Sequence, residues 1–248
     1  MADSFPLNGK TALVTGAGIR LGRAMSEALL QKGCHLAAHY HSSAVEAEEL
    51  AESAPSGQRV VPIAADLASP GSGEALFQEA VDSLGHIDIL INSASIFHES
   101  TLESFSDAEL DENIRLHALA PLALMRAMAR QQRPGVVINM LDTRILEYDA
   151  KHVAYHLSKR MLFSLTRMAA LEFGPLLRVN AIAPGLVLPP PGKDASHLEA
   201  LAPTNPLQTH GGPDDIVRAM LFLLESPFIT GQIIFVDGGY HMKGGAYG

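Results

Sequence analysis

The chain has 248 residues, with 18 Lys and Arg against 27 Asp and Glu and a formal net charge of −9. This acidity argues against nucleic acid as a main partner, because phosphate recognition needs a basic stripe. With 47% apolar and 18% charged residues the sequence is not disordered, and no run of about 18 apolar residues is present to span a membrane.

A chain of this length buries roughly 70–75% of its unfolded surface, so it needs no disulfide or metal staple. The single Cys34 cannot form an internal disulfide, which fits a reducing compartment. Met1 to Leu7 has neither a basic flank nor an apolar stretch and does not read as a signal peptide. The expectation is a cytoplasmic protein with a small-molecule substrate and no nucleic-acid or membrane partner.

In chain order, short apolar runs occur at Ala12–Val14, Leu36–His39, Val60–Ala64, Ile87–Ile91, Val136–Met140, Val179–Ile182 and Ile233–Val236. Each is bounded by Gly, Asp, Asn or Pro, the pattern of parallel strands buried on both faces. Helical periodicity marks Leu21–Gln31, Ala44–Ser53, Glu74–Leu84, Ala108–Arg130, Val153–Phe173 and Asp214–Leu224. This alternation predicts an α/β fold: a doubly wound, seven-stranded parallel sheet with helices on both faces, in a single domain over residues 1–248.

Residues 184–213 break the pattern with seven prolines, at 184, 189, 190, 191, 203, 206 and 213. The segment exceeds an ordinary loop of about 4–6 residues. It reads as a lid or substrate loop at the strand ends, the alternative being a floppy insertion.

The first strand runs into Thr15-Gly16-Ala17-Gly18-Ile19-Arg20-Leu21-Gly22 and then directly into a helix. Glycines let backbone approach a pyrophosphate, and the helix start supplies N–H groups and a positive dipole end. The spacing is G-x-G-x-x-x-G, one residue longer than the usual dinucleotide fingerprint. The second strand ends in His39-Tyr40-His41-Ser42-Ser43, without the acid an NAD site places on the ribose. Arg20, His41, Ser42 and Ser43 instead suit a 2′-phosphate and hence NADPH, though Ser42 or Ser43 also suits a helix cap. Asp66 after the third strand suits an adenine amino group or a turn.

Tyr155 and Lys159 share one face of a long helix. A lysine at this spacing is expected to lower the phenol's pKa and make it a proton donor near neutral pH. One cysteine and no metal-ligand spacing predict no metal site, and His39 with His41 reads as a strand end near the cofactor.

The Thr15–Gly22 turn is followed by Asp66-Leu67, Asn92-Ser93-Ala94-Ser95, Tyr155 with Lys159, Arg178-Val179-Asn180, Pro184-Gly185 and Val236-Asp237-Gly238-Gly239. In that order the chain resembles the short-chain dehydrogenase/reductase family over essentially its full length. The resemblance implies a Rossmann-type sheet, a nicotinamide cofactor and a homotetramer. It makes the tyrosine the proton donor and places the lysine also on the nicotinamide ribose. The implied cofactor set is Gly16, Arg20, Leu21, His41, Ser42, Ser43, Asp66, Leu67, Asn92, Ser93, Ala94, Tyr155, Lys159, Pro184, Gly185 and Leu186.

The departures carry more information than the matches. Arg20 stands where the family usually has glycine, and His117 where it has asparagine. Asp142, thirteen residues before Tyr155, replaces the usual serine, and Ser93 and Ser95 fall within a motif that commonly reads N-N-A-G. Arg20, His41-Ser42-Ser43, Ser95 with Phe97, and Asp142 with Tyr155 look like the pteridine reductases of this family. His117 and Lys151-His152-Val153-Ala154-Tyr155 look like their bacterial dihydromonapterin reductase relatives.

The resemblance implies a catalytic set of Asp142, Tyr155, Lys159 and His117, and substrate contacts from Ser95, Phe97, Asp142, Tyr155 and Leu188. His117 also suits a hydrogen-bonded core histidine, Phe97 core packing and Asp142 a loop cap. The expected activity is NADPH-dependent reduction of a pteridine C=N bond. The alternatives are a carbonyl or 3-oxoacyl thioester reductase and an NADPH-binding sensor.

Overall fold

Seven apolar runs become seven parallel strands in one sheet, ordered β3-β2-β1-β4-β5-β6-β7. They are β1 (Thr11–Thr15), β2 (His35–Tyr40), β3 (Val60–Ala64), β4 (Ile89–Asn92), β5 (Gly135–Met140), β6 (Leu177–Pro184) and β7 (Ile233–Val236). The computed structural model describes residues 5–148, 150–190 and 192–243, so Pro191 of the proline-rich segment lies outside the described residues.

The strand order reverses between β1 and β4, which leaves a crevice at their C-terminal ends. The in-register ends Thr15, His39 and Asn92 line up there as paired residues.

Side chains alternate across the sheet, and both faces are buried. Ala12, Val14, Ile89, Ile91, Val136 and Ile138 enter one core with Met25, Leu29, Leu50, Ile216 and Met220. These last come from α1 (Arg20–Gln31), α2 (Ala44–Glu52) and α8 (Pro213–Glu225). Leu13, Leu90 and Val137 face the other core with Leu76, Phe77, Leu124, Met125 and Ala169. These belong to α3 (Ser72–Leu84), α5 (Ala120–Arg130) and α6 (Val153–Glu172). Burial on both faces is why the strands read as unbroken apolar runs rather than alternating ones.

One expectation needs correction. The single helix expected over Ala108–Arg130 is α4 (Asp107–Ile114), a π-helical turn Arg115–Leu119, and α5. The wide turn carries His117 inward, where it is 1% exposed. The 184–213 segment, read as a lid or substrate loop, carries regular structure. It contains α7 (Ala195–Leu201) and a 3₁₀ turn Ala202–Thr204 before α8 begins at Pro213. Among the described residues, no helix is long and apolar enough to cross a membrane.

Candidate active site

The glycine turn is shaped by steric limits that explain its spacing. Gly16 has φ +68°, and a Cβ there would lie 3.2 Å from the Cα of Ala94. A Cβ on Gly22 would lie 1.9 Å from the Gly16 carbonyl oxygen, so only glycine closes the first turn of α1 onto the loop. Arg20 holds φ +55°, a conformation that favours glycine. Its guanidinium donates to the Pro189 carbonyl at 2.9 Å, tying the glycine turn to the 184–213 segment. No side chain caps the start of α1 at Ile19. Bare helix N–H groups behind a turn that leaves no room for a Cβ at Gly22 fit the phosphates of a dinucleotide.

The turn is held from both sides. Thr15 Oγ1 accepts from the Ser93 and Ala94 amides at 2.9 and 3.0 Å, fixing the chain after β4. On the other side, the Gly16 amide donates to His39 Nδ1 at 3.1 Å. His41 and Ser42 are exposed beyond β2. Ser43 begins α2 but makes no capping bond through its side chain, and a Cβ on Gly18 would lie 3.3 Å from its Oγ.

The Asp66 carboxylate accepts from the Ala68 amide at 3.0 Å and the Ser69 hydroxyl at 2.7 Å. The Ser69 bond, then the Ala68 bond, lowers its pKa. Leu67 is buried in the core beneath α3 and α5. Asn92 Nδ2 donates to Asn139 Oδ1 at 2.7 Å, a buried bond between the ends of β4 and β5. Gly185 is needed because a Cβ there would lie 2.6 Å from Cβ of Asp237. The Leu186 carbonyl accepts from the Gly211 amide at 2.9 Å, closing the base of the loop that carries the half-buried Leu188.

The catalytic candidates converge at the ends of β4, β5 and α6. The Tyr155 hydroxyl donates to Asp142 Oδ2 at 3.1 Å. Asp142 Oδ1 accepts from the Arg144 amide at 2.8 Å, so the carboxylate caps the 3₁₀ turn Thr143–Leu146 as well as meeting the phenol. Arg144 Nε lies 3.7 Å from Asp142 Oδ1. Thr143 Oγ1 in turn donates to Asp237 at the end of β7, which anchors this loop.

Lys159 is 3% exposed, its Nζ donates to the Met140 carbonyl at 2.8 Å and it sits 5.7 Å from the Tyr155 ring centre. Burial lowers its pKa to about 8, against an opposing pull from Asp142. The expectation that Lys159 lowers the tyrosine pKa is not met. Burial, then the Asp142 charge and its hydrogen bond, hold Tyr155 well above the usual phenol range. The ammonium donates to a carbonyl, while a carboxylate accepts the hydrogen bond of the phenol.

His117 accepts the Ile96 amide at Nε2, 3.2 Å away, with Ser95 Oγ at 3.0 Å from the same nitrogen. An imidazole nitrogen that accepts from an amide carries no hydrogen, so the proton is on Nδ1 and is donated to Ser158 Oγ at 2.9 Å. Ser158 Oγ donates onward to the Tyr155 carbonyl at 2.7 Å. Burial, then the Lys159 charge, keeps His117 neutral.

Phe97, 40% exposed, stacks on His152 with ring centres 4.0 Å apart and meets Tyr155 edge-on at 4.8 Å. The Arg144 guanidinium lies 5.9 Å from its ring centre. Thus Ser95, Phe97, His117, Asp142, Tyr155 and Lys159 form one cluster, with Asn92 to Ala94 leading to it. Arg20, His41, Ser42, Ser43 and Asp66 follow the C-terminal ends of β1, β2 and β3.

Arg144 and Ser158 were not expected near the site, Thr15 and His152 stand only within the matched motifs, and His39 was read only as a strand end near the cofactor. The signal for Arg144 and His152 was proximity to Asp142 and Tyr155. Ser158 had none beyond its residue type.

The family described as enoyl-(acyl carrier protein) reductase matches residues 16–241. Versicolorin reductase stcU of Emericella nidulans is 30% identical over 258 residues, covering 96% of this chain and 98% of that one. Among solved structures, FolM alternative dihydrofolate reductase 1 from Brucella canis, complexed with NADP, has a TM-score of 0.88 at 33% identity, covering 96% of both chains. The angucycline C-6 ketoreductase LanV with bound NADP has a TM-score of 0.86 at 28% identity, covering 96% of this chain and 97% of that one.

Proposed function

The chain belongs to the short-chain dehydrogenase/reductase family and is an NADP-dependent oxidoreductase, and from that premise we propose that it reduces a C=N bond of a pteridine. Dihydromonapterin, a dihydropteridine and dihydrofolate are the substrates this reading names. The observation that carries it is the Asp142 carboxylate on the Tyr155 hydroxyl. Ketone reduction builds an alkoxide, which a carboxylate repels. An imine instead needs a proton on ring nitrogen, and a pterin offers amide and amino donors that a carboxylate accepts.

When bound, NADPH supplies the hydride. Tyr155 holds a proton at its hydroxyl and delivers it to the ring nitrogen, while Asp142 orients that hydroxyl and accepts from the ring edge. Lys159 reaches the nicotinamide ribose. Phe97, backed by His152, packs on the pterin ring. His117 is a positioning residue: it fixes the 95–97 loop through Ile96 and ties that loop to α6 through Ser158. Gly16 to Leu21, with Asn92 to Ala94 and Pro184 to Leu186, hold the dinucleotide, and His41, Ser42 and Ser43 meet its 2′-phosphate. Asp66 meets the adenine, and Leu188 on the 184–213 loop covers the substrate.

We place this single-domain protein in the cytoplasm, in keeping with its buried free Cys34. A homotetramer is supported by an exposed apolar stripe on α6, formed by Leu157, Met161, Met168 and Leu171. The second reading is a carbonyl reductase, favoured by the ketoreductase relative and by a phenol that keeps its proton.

Steady-state NADPH oxidation separates the two. Turnover of a 7,8-dihydropterin well above that of an aryl ketone or 3-oxoacyl thioester supports the pteridine reading. The reverse replaces it with the carbonyl reductase, and turnover of neither leaves an NADPH-binding sensor.

A further inference from the structure

His39, at the end of β2, is 2% exposed and uses both ring nitrogens. Nδ1 accepts the Gly16 amide at 3.1 Å, so it carries no hydrogen, and Nε2 donates to the Ala65 carbonyl at 3.1 Å just past β3. The Ala17 amide donates to the His39 carbonyl at 2.9 Å. The first two amides of the glycine turn are therefore both committed to one residue.

Gly16 sits at φ +68°, a conformation that glycine visits freely in the unfolded chain and that must be held in one place to be useful. Its neighbour on the other side, Ala94, limits how far the turn can swing that way, since a Cβ on Gly16 would already lie 3.2 Å from the Ala94 Cα. Acceptance at His39 Nδ1 pulls the same peptide toward β2. The turn is thus suspended between the end of β4 and the His39 ring, and its position sets where the N-terminus of α1 points.

We propose that His39 is a positioning residue for NADP binding: its Nδ1 lone pair fixes the Gly16 peptide, and with it the helix start that receives the pyrophosphate. The Ala65 bond at Nε2 sets the ring's orientation and tautomer, and the Gly16 bond does the positioning. A preorganised anion site binds more tightly because less ordering is left for the ligand to impose. The inference concerns the cofactor turn and does not depend on which substrate is reduced.

The two ring nitrogens can be separated by substitution. Asparagine places an acceptor near Nδ1 and lacks the reach to Ala65. Glutamine reaches the Nε2 position and leaves the Gly16 amide without its acceptor. NADPH affinity, measured by calorimetry and by cofactor fluorescence on the full chain, is expected to fall about tenfold in His39→Gln. His39→Asn is expected to stay within about threefold of wild type.

In turnover assays the His39→Gln loss is expected in KM for NADPH more than in kcat. Thermal unfolding of the cofactor-free variants gives a readout apart from binding, and a merely structural histidine would make affinity follow stability instead of the acceptor. Wild-type affinity in His39→Gln, or equal losses in both variants, would overturn the proposal.

Discussion

The two halves of the crevice are each held by a buried histidine, and the two histidines are mirror images. His39 accepts a turn amide at Nδ1 and donates from Nε2, whereas His117 accepts a loop amide at Nε2 and donates from Nδ1. Both are neutral, and each pins a loop that follows a strand. Beyond them the halves diverge. The glycine turn of the cofactor half is built of backbone: amides, glycines and an uncapped helix start. The catalytic half is built of ionisable side chains, with Asp142, Tyr155 and Lys159 in mutual reach. On the proposed function, geometry would carry recognition in the first and charge would carry chemistry in the second. Perturbing one half should therefore spare the function of the other.

The largest test of that division is Tyr155→Phe. Turnover should fall roughly 10²–10⁴-fold, the usual contribution of proton transfer, with NADPH affinity retained. Lys159→Ala breaks the division deliberately, because the lysine is proposed on both the ribose and the tyrosine side. It should lower both turnover and NADPH affinity, as read by kinetics and by cofactor titration.

Acid should expose the shared device. Burial holds the His39 pKa at about 4, against 6.5 for an ordinary histidine, with His41 pushing the same way and the Ala65 bond opposing. The unfolded chain then binds a proton before the folded one does. The stabilising contribution is complete above pH 6.5 and is lost as pH falls toward 4, a cost of roughly 3 kcal/mol from this residue alone. His117 adds in the same direction. Urea unfolding between pH 7 and pH 4.5 measures the slope, and His39→Asn should flatten it.

A smaller effect sharpens the cofactor side. NADPH should bind about tenfold to a hundredfold more tightly than NADH, the worth of one charge-assisted phosphate contact. Equal affinities in a fluorescence titration would remove the 2′-phosphate role of His41, Ser42 and Ser43.

The sheet was legible because strands buried on both faces are written as unbroken apolar runs. The π-helical turn was not, because Ala108–Arg130 keeps helical periodicity through the extra residue. Nor was α7, hidden between prolines that suggest only loop. Asp142 with Tyr155 was legible through the family resemblance, which places a serine thirteen residues before the tyrosine. The role of His39 could not, since it depends on which nitrogen faces which strand. The influence of Lys159 on Tyr155 was misread because spacing places two groups on one face but does not say where the ammonium bonds. Here it bonds to Met140, and burial decides the phenol.

Asp142→Ser separates pteridine from ketone chemistry, because it converts the catalytic half to the neutral-hydroxyl form suited to ketones while leaving the cofactor half untouched. The kcat/KM for a dihydropterin should fall at least about tenfold, a loss of roughly 1.4 kcal/mol of transition-state stabilisation. Aryl ketone reduction should be unchanged or improved, since the repulsion of an alkoxide is gone. A variant that reduces the dihydropterin at the wild-type rate, or loses both activities equally, would overturn the pteridine reading.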